Sequence, residues 1–521
     1  MTTPSTPDMK HAKDDRPASE HDVDVGEATV HHDADDLHRA LKPRQVDMLA
    51  IAGAIGTGLI IGSGSGLAHG GPASLLIAYV LIGAVVYFVM TAMGEMATWL
   101  PMKKGFAGYA TRFVDPAFGF ATGWNYFFKY AIVLPNNLTA AGIILQYWRP
   151  DINVAVWITV FGVVIVLLNV LHVRWFGEAE FWLSAIKVIV LLGLILACLV
   201  ISLGGSPSHD RIGFRYWRDP GAFAPYLADG STGKFLGFWA CVVQACFAYT
   251  GTEIIGAAFG EVPNPRKNVP KTVRQTLLRI CCFYVLGVFV LGMAVPYDNE
   301  RLIGATKEKT SAAPTAASPF VVAITLARIK VLPDIVNGAL LVFVISAANS
   351  DIYVASRALF GMAKDGQAPA LFKRTTAAGV PLAGVAAAAL FILLGYMNVS
   401  KSASTVFGYF VSLVTVFGTL NWVSILVSYL CMRRGMLAQG VDLMELPYRD
   451  PLQPYGAWFA LVVTVLVIFF NGFTAFVPHF KADTFVTSYI GVVVYLANIV
   501  WWKCFKGTKR VQPNDMDLGK E

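Results

Sequence analysis

Apolar residues along this chain come in long blocks, not at the spacing of one buried helix face. From Val46 onward twelve runs are long enough to cross a bilayer: 47–67, 73–98, 117–147, 154–172, 181–203, 235–258, 274–296, 334–361, 381–397, 403–432, 454–474 and 484–504. About 20 apolar residues span a hydrocarbon core of roughly 30 Å, and a helix apolar on every side belongs in lipid or in a deep core. A thirteenth stretch, 318–331, is too short to cross and is expected as a helix lying in an outer loop. Residues 1–45 hold too few apolar positions to fold and read as a tail, as do 507–521. The pattern predicts an all-α polytopic membrane domain over 46–506 with twelve transmembrane helices.

Composition agrees. Of 521 residues, 55% are hydrophobic and only 14% charged, and mean hydropathy is +0.57. Soluble domains carry about a quarter charged residues, and single cores stop growing near 250–300 residues. The net charge of +7 lies in clusters between runs, which excludes a nucleic-acid partner and orients the bundle. Lys103, Lys104 and Arg112 follow the second run, Arg266, Lys267, Lys271, Arg274 and Arg279 the sixth, Lys364, Lys373 and Arg374 the eighth, and Arg433 and Arg434 the tenth. Lys503, Lys506, Lys509 and Arg510 close the chain, so both termini are expected in the cytoplasm. The opposite side carries longer polar loops, 204–234 and 297–333. Polar residues through position 40 offer no cleavable signal, which leaves the first span as its own insertion signal. Seven Cys residues inside or at the ends of apolar runs suggest small buried side chains, with no disulfide framework or metal spacing. Five of nine His residues fall irregularly in the amino-terminal tail, as solvated residues do. No buried Ser/His/Asp set or metal cluster supports an enzyme, and no cofactor is expected.

Glycine supplies the first chemical clue. The first span reads Ala50-Ile-Ala-Gly-Ala-Ile-Gly-Thr-Gly-Leu-Ile-Ile-Gly-Ser-Gly-Ser-Gly66. Each interior Gly costs about 1 kcal/mol against Ala. Such crowding serves either close helix packing or local unwinding at Gly56-Thr57-Gly58, and unwound backbone survives in a membrane only inside protein or beside a cavity. Five spans later, in Phe247-Ala-Tyr-Thr-Gly-Thr-Glu-Ile-Ile-Gly256, Gly251 interrupts a helix beside the buried carboxylate of Glu253. Matched breaks in spans one and six predict two inverted five-span repeats, about 46–203 and 235–432, with a site between them and extra helices over 454–506. Free N–H groups at Gly56, Thr57 and Gly58 suit a carboxylate, and freed carbonyls near Gly251 suit an ammonium.

These segments resemble the amino acid–polyamine–organocation transporters, which share the LeuT-like fold. Gly94-Glu-Met-Ala-Thr-Trp-Leu-Pro101, Phe214-Arg-Tyr-Trp-Arg-Asp-Pro-Gly221 and Ser346-Ala-Ala-Asn-Ser-Asp-Ile-Tyr-Val-Ala-Ser-Arg357 resemble the fungal amino-acid permease branch, and the likeness runs over about 40–506. The resemblance implies that Ala54, Phe247, Ala248 and Thr250 offer carbonyls to the α-ammonium of an amino acid. It also matches Lys187 to the span-five Lys of proton-coupled members, between spans one and eight, which implies H⁺ in place of Na⁺ as the coupling ion. Burial in low dielectric disfavours a charged ammonium, so such a Lys releases its proton readily; snorkelling to the interface is the plain alternative. Glu253 is a second candidate for proton coupling, or else a structural carboxylate held by the broken helix. Glu95 and Arg357 sit near span ends, as gate ion pairs or as interface anchors.

Span three carries the substrate clue. In Gly123-Trp-Asn-Tyr-Phe-Phe-Lys-Tyr-Ala-Ile-Val-Leu-Pro-Asn-Asn-Leu-Thr-Ala-Ala141, residues Asn125, Lys129, Val133 and Asn136–Asn137 share one helix face. Lys129 lies near the middle of the run, either paired with a carboxylate such as Glu253 or held as a fixed cation for a second carboxylate on the ligand. Many fungal permeases have Pro-x-Glu where this chain has Pro135-Asn136-Asn137 and lack the Lys, and the pattern here resembles the dicarboxylic subgroup. The exchange makes the site more positive by about two charges, which favours an anionic side chain. The expected function is proton symport of L-glutamate and L-aspartate across the plasma membrane. A broad-range or neutral amino-acid permease and a non-transporting amino-acid sensor are the alternatives.

Overall fold

The computed structural model describes residues 56–102, 105–170, 173–207, 209–254, 259, 264–306, 318–376 and 379–519. The amino-terminal tail, Ala54, Lys103 and Lys104 lie outside the described residues. Every regular element among the described residues is helical, and nine helices there have the length and hydropathy to cross a membrane. The longest, Gly58–Trp99, has 42 residues and would be about 63 Å long if straight, twice the hydrocarbon core. It is two spans. Gly71 breaks it with φ 78° and ψ 173°, and Pro72 follows. A Cβ placed on Gly66 would come within 2.8 Å of Leu75, so the chain doubles back and restores the first two apolar runs.

The other spans follow in order: the third over Pro116–Leu145, the fifth over Val173–Ser202, the seventh over Pro265–Ala294 and the eighth over Leu332–Lys364. The ninth, Leu382–Val399, tightens from α to 3-10 geometry at Phe391. The tenth, eleventh and twelfth are Ala403–Ala438, Tyr455–Ala475 and Ala482–Lys506. The fourth is short, Val154–Val170, and the sixth, Gly230–Tyr249, stops where its glycine break begins.

Packing follows the two halves. Span one lies on span six, span three packs on spans eight and ten, and span eight also packs on span five. Exchanging the halves turns three into eight and ten into five, so these last two contacts are equivalents, as inverted repeats require. Spans eleven and twelve pack outside, against spans two, three and ten. Leu167 (58%), Ile189 (69%), Leu393 (63%) and Phe469 (68%) are exposed on the periphery. Apolar surface on this scale is stable where lipid covers it.

Two expectations change. The short helix Pro319–Leu326 does lie in the connection between spans seven and eight, but packed inward: Phe320, Val321, Val322, Ala323 and Ile324 are all fully buried, and Ser318 Oγ donates to the Ile60 carbonyl at 2.9 Å. With no polar face for water, this helix plugs against span one. The seven Cys are all free, but Cys281 and Cys504 are exposed instead of buried. Among the described carboxy-terminal residues, Val511 N–H donates to the Val114 carbonyl at 2.9 Å, and Asp517 pairs with Arg112 at 2.7 Å.

Candidate functional site

The break in span six is visible in its backbone. After Tyr249, Thr250 turns extended with ψ 140°, and Gly251 adopts φ 102°, a value open to glycine at little cost. The Thr250 and Thr252 hydroxyls donate to the carbonyls of Phe247 and Tyr249 at 2.7 and 2.8 Å, which partly satisfies the frayed end. Glu253 Oε2 accepts the Gly251 N–H at 3.0 Å.

Span one differs from expectation at its glycines. Gly58 is already helical, opening a wide π turn over Gly58–Gly62, and Thr57 has helical φ −57° and ψ −25°. Gly56 is in a bend, and the residues before it lie outside the described residues. Gly58 serves close packing: a Cβ there would fall 2.4 Å from Ala248 Cα. The packing reading of the glycine run holds at Gly58, while the unwinding expected over Gly56-Thr57-Gly58 is absent at Thr57 and Gly58 and limited, among the described residues, to the bend at Gly56. The helix still begins with N–H groups that have no intrahelical acceptor.

Between the two helix ends lies a cavity of about 50 Å³. Its wall takes Gly56, Thr57 and Gly58 from span one, and Lys129, Tyr130, Val133 and Asn137 from span three. Phe247, Ala248, Thr250, Gly251 and Ile254 come from span six, and Ala347, Ser350 and Asp351 from span eight. All the substrate-site residues expected from the sequence meet here except Ala54, which lies outside the described residues. Asn125 shares their helix face but turns to span ten, donating to the Phe417 carbonyl and Asn421 Oδ1 at 2.7 and 2.8 Å.

The buried charges are paired in an informative way. Lys129 Nζ lies 2.5 Å from Glu253 Oε1, both side chains 1% exposed, and also donates to the Tyr130 hydroxyl at 3.0 Å. Trp422 Nε1 donates to Glu253 Oε2 at 3.4 Å. Of the two roles open to Lys129, the pair with Glu253 is present, while the residue still lines the cavity. Glu253 anchors the broken helix, as its structural reading has it. Lys187 is fully buried and lies 3.6 Å from Glu180 Oε1 on its own span. Ser346 Oγ of span eight contacts both oxygens of that carboxylate at 2.9 Å, so Lys187 is tied toward span eight through a residue the sequence reading passed over.

Asp351 was missed as well. Asn137 Nδ2 donates to Asp351 Oδ2 at 2.7 Å, and Thr57 Oγ1 donates to Asn137 Oδ1 at 3.0 Å. Its signal was available, since any carboxylate inside an apolar run is a functional candidate. At one end of the bundle Glu95 accepts the Tyr429 hydroxyl at 2.6 Å and the Asp450 N–H at 2.9 Å, with Arg433 at 3.7 Å. Arg357 instead lies over the Tyr353 ring, 3.4 Å from its centre.

The sequence model of the amino acid permeases matches residues 45–514. This chain belongs to the amino acid permease family. The permease is 53% identical over 513 residues to an uncharacterised amino-acid permease of Schizosaccharomyces pombe, covering 96% of this chain and 98% of the relative. It is 49% identical over 487 residues to the dicarboxylic amino acid permease of Saccharomyces cerevisiae, covering 92% and 79%. In fold it is similar to the manganese transporter of Eremococcus coleocola, with TM-score 0.54 over 89% of this chain and 94% of that one at 14% identity. The permease is a LeuT-like, multi-pass transporter of amino acids and not an enzyme.

Proposed function

We propose that this permease imports L-glutamate and L-aspartate with protons across the plasma membrane, both termini facing the cytoplasm. The observation that carries the reading is the Lys129 side chain in the wall of a cavity between the start of the span-one helix and the break in span six. In this reading the substrate α-carboxylate takes the N–H groups at Thr57 and Gly58, where the helix dipole favours an anion. The α-ammonium takes carbonyls of Ala54, Phe247, Ala248 and Thr250, with Gly251 opening the turn that frees them. The second carboxylate reaches Lys129, which shifts from Glu253, and Asn137 adds no competing negative charge. The 49% identity to a dicarboxylic amino acid permease supports the same substrate class. Lys187, with Glu180, is proposed as a proton-coupling group, and Glu253, the other sequence candidate for that role, as the fixed counterion of Lys129, within repeats spanning about 46–203 and 235–432.

A second reading, a permease for neutral or many amino acids, draws on the Lys129–Glu253 pair, because an ammonium held by a carboxylate is not free for a ligand. Lys129→Ala separates the two. Uptake of labelled glutamate and of a neutral amino acid is measured in reconstituted vesicles. The acidic reading expects glutamate uptake to fall at least tenfold while neutral uptake is spared. Equal loss of both favours the structural role, and binding without accumulation points to a sensor.

A further inference from the structure

The charges facing the cavity do not favour an anion when all are ionised. Lys129 is matched by Glu253, and behind span eight Lys187 is matched by Glu180. Asp351, which lines the cavity with Lys129, is left over, so these five charges in and around the cavity sum to one negative, the sign of glutamate itself. Glu253 has three donors, from Lys129, Gly251 and Trp422, a setting that suits a carboxylate. Asp351, only 6% exposed, has the Asn137 amide and no Lys, Arg or His nitrogen within 4.0 Å among the described residues. Beside it the Ser350 hydroxyl is buried, lines the same cavity and has no hydrogen-bond partner there. An unmatched buried carboxylate is costly as an anion and much less so as an acid.

We propose that Asp351 is the carboxyl group that accepts the co-transported proton, and that its neutralisation admits the acidic substrate. This rests on the proton-coupled, acidic reading given above. A proton from the outer solution bonds to an Asp351 carboxylate oxygen, and the same O–H bond breaks toward the inner solution after the substrate has left. The groups facing Asp351 are Lys129 and Tyr130 on span three, Lys187 and Glu180 on span five, and Asn137; Glu253 on span six faces the same cavity through Lys129. The message to the substrate runs through two hydrogen bonds. Asn137 donates to Asp351 and accepts from the Thr57 hydroxyl, and Thr57 opens the helix end assigned to the α-carboxylate. Protonation weakens the charge-assisted bond from Asn137, and this frees the amide and the Thr57 hydroxyl to turn toward the ligand.

The test uses full-length permease in proteoliposomes, with labelled glutamate outside and a pH-sensitive dye inside. Asp351→Asn is expected to lose glutamate-dependent proton entry and to cut accumulation at least tenfold, while any remaining glutamate exchange no longer varies with pH. Asp351→Glu is expected to keep proton entry with a displaced pH profile. Infrared difference spectra of the wild type should gain a protonated-carboxyl band when glutamate is added, a measurement that needs no variant to fold. Proton entry in Asp351→Asn at the wild-type ratio to glutamate, or no such band in the wild type, overturns the assignment alone. Wild-type permease that carries glutamate without protons overturns the symport reading as well. Protons carried with neutral amino acids only overturn the acidic half of both.

Discussion

One methyl group at Gly58 tests the contact that joins the two interrupted spans. An ideal Cβ there would sit 2.4 Å from Ala248 Cα and 2.9 Å from Ala248 N. Carbon atoms pack comfortably at about 3.5–4.0 Å, so Gly58→Ala forces spans one and six apart by about 1 Å. The atoms in the way are backbone, and no rotamer change relieves them. Overpacking of this kind costs about 1–3 kcal/mol, which as a shift between two states is about 5- to 150-fold. Gly56 is the control, since a Cβ there meets nothing within 4 Å among the described residues. Thermal unfolding followed by size-exclusion fluorescence, with amino-acid uptake measured on the same preparations, reads both effects. Gly58→Ala should melt lower and transport at least fivefold more slowly, while Gly56→Ala should melt with the wild type. A Gly58→Ala protein with wild-type melting and uptake would refute the reasoning, because it would mean that the two backbones are not held in contact.

Two further substitutions probe the ends of the bundle. Glu95→Gln weakens the bonds from Tyr429 and the Asp450 N–H and removes the charge facing Arg433; a hydrogen bond to a charged group is worth about 1.5–3 kcal/mol, to be read as a lower unfolding midpoint. Asp115 caps span three by accepting the Ala117 N–H at 2.8 Å, and it also holds Lys503 at 2.9 Å and Thr508 at 3.0 Å. Asp115→Ala should cost about 0.5–2 kcal/mol, measured in the same melts. Burial works to raise the Asp115 pKa, but Lys503, the Ala117 N–H and Thr508 together hold it below the ordinary value. A depressed carboxyl contributes stability above the unfolded pKa of about 3.9 and loses it only as pH falls through the lower folded value. Limited proteolysis should therefore find the carboxy-terminal segment protected at mildly acidic pH and released only in strong acid.

The sequence alone determined what depends on one dimension. Whether a run is long enough to cross lipid is a matter of residue count, so the twelve spans, the break at Gly251 and the intramembrane Lys129, Lys187 and Glu253 were all legible before folding. Even the reversal at Gly71, hidden inside one continuous helical stretch, follows from a helix twice too long for the bilayer. Tertiary structure decided which groups meet. Lys129 and Glu253 lie 124 residues apart, and their pairing depends on the rotation and depth of two helices that apolar runs do not encode. Asp351 and Glu180 are visible in the sequence as carboxylates in apolar runs, but only the fold brings them to Asn137 and Ser346 on other spans. Side chains brought together in low dielectric settle their charges among themselves, and only the packed bundle shows which one is left without a counterion.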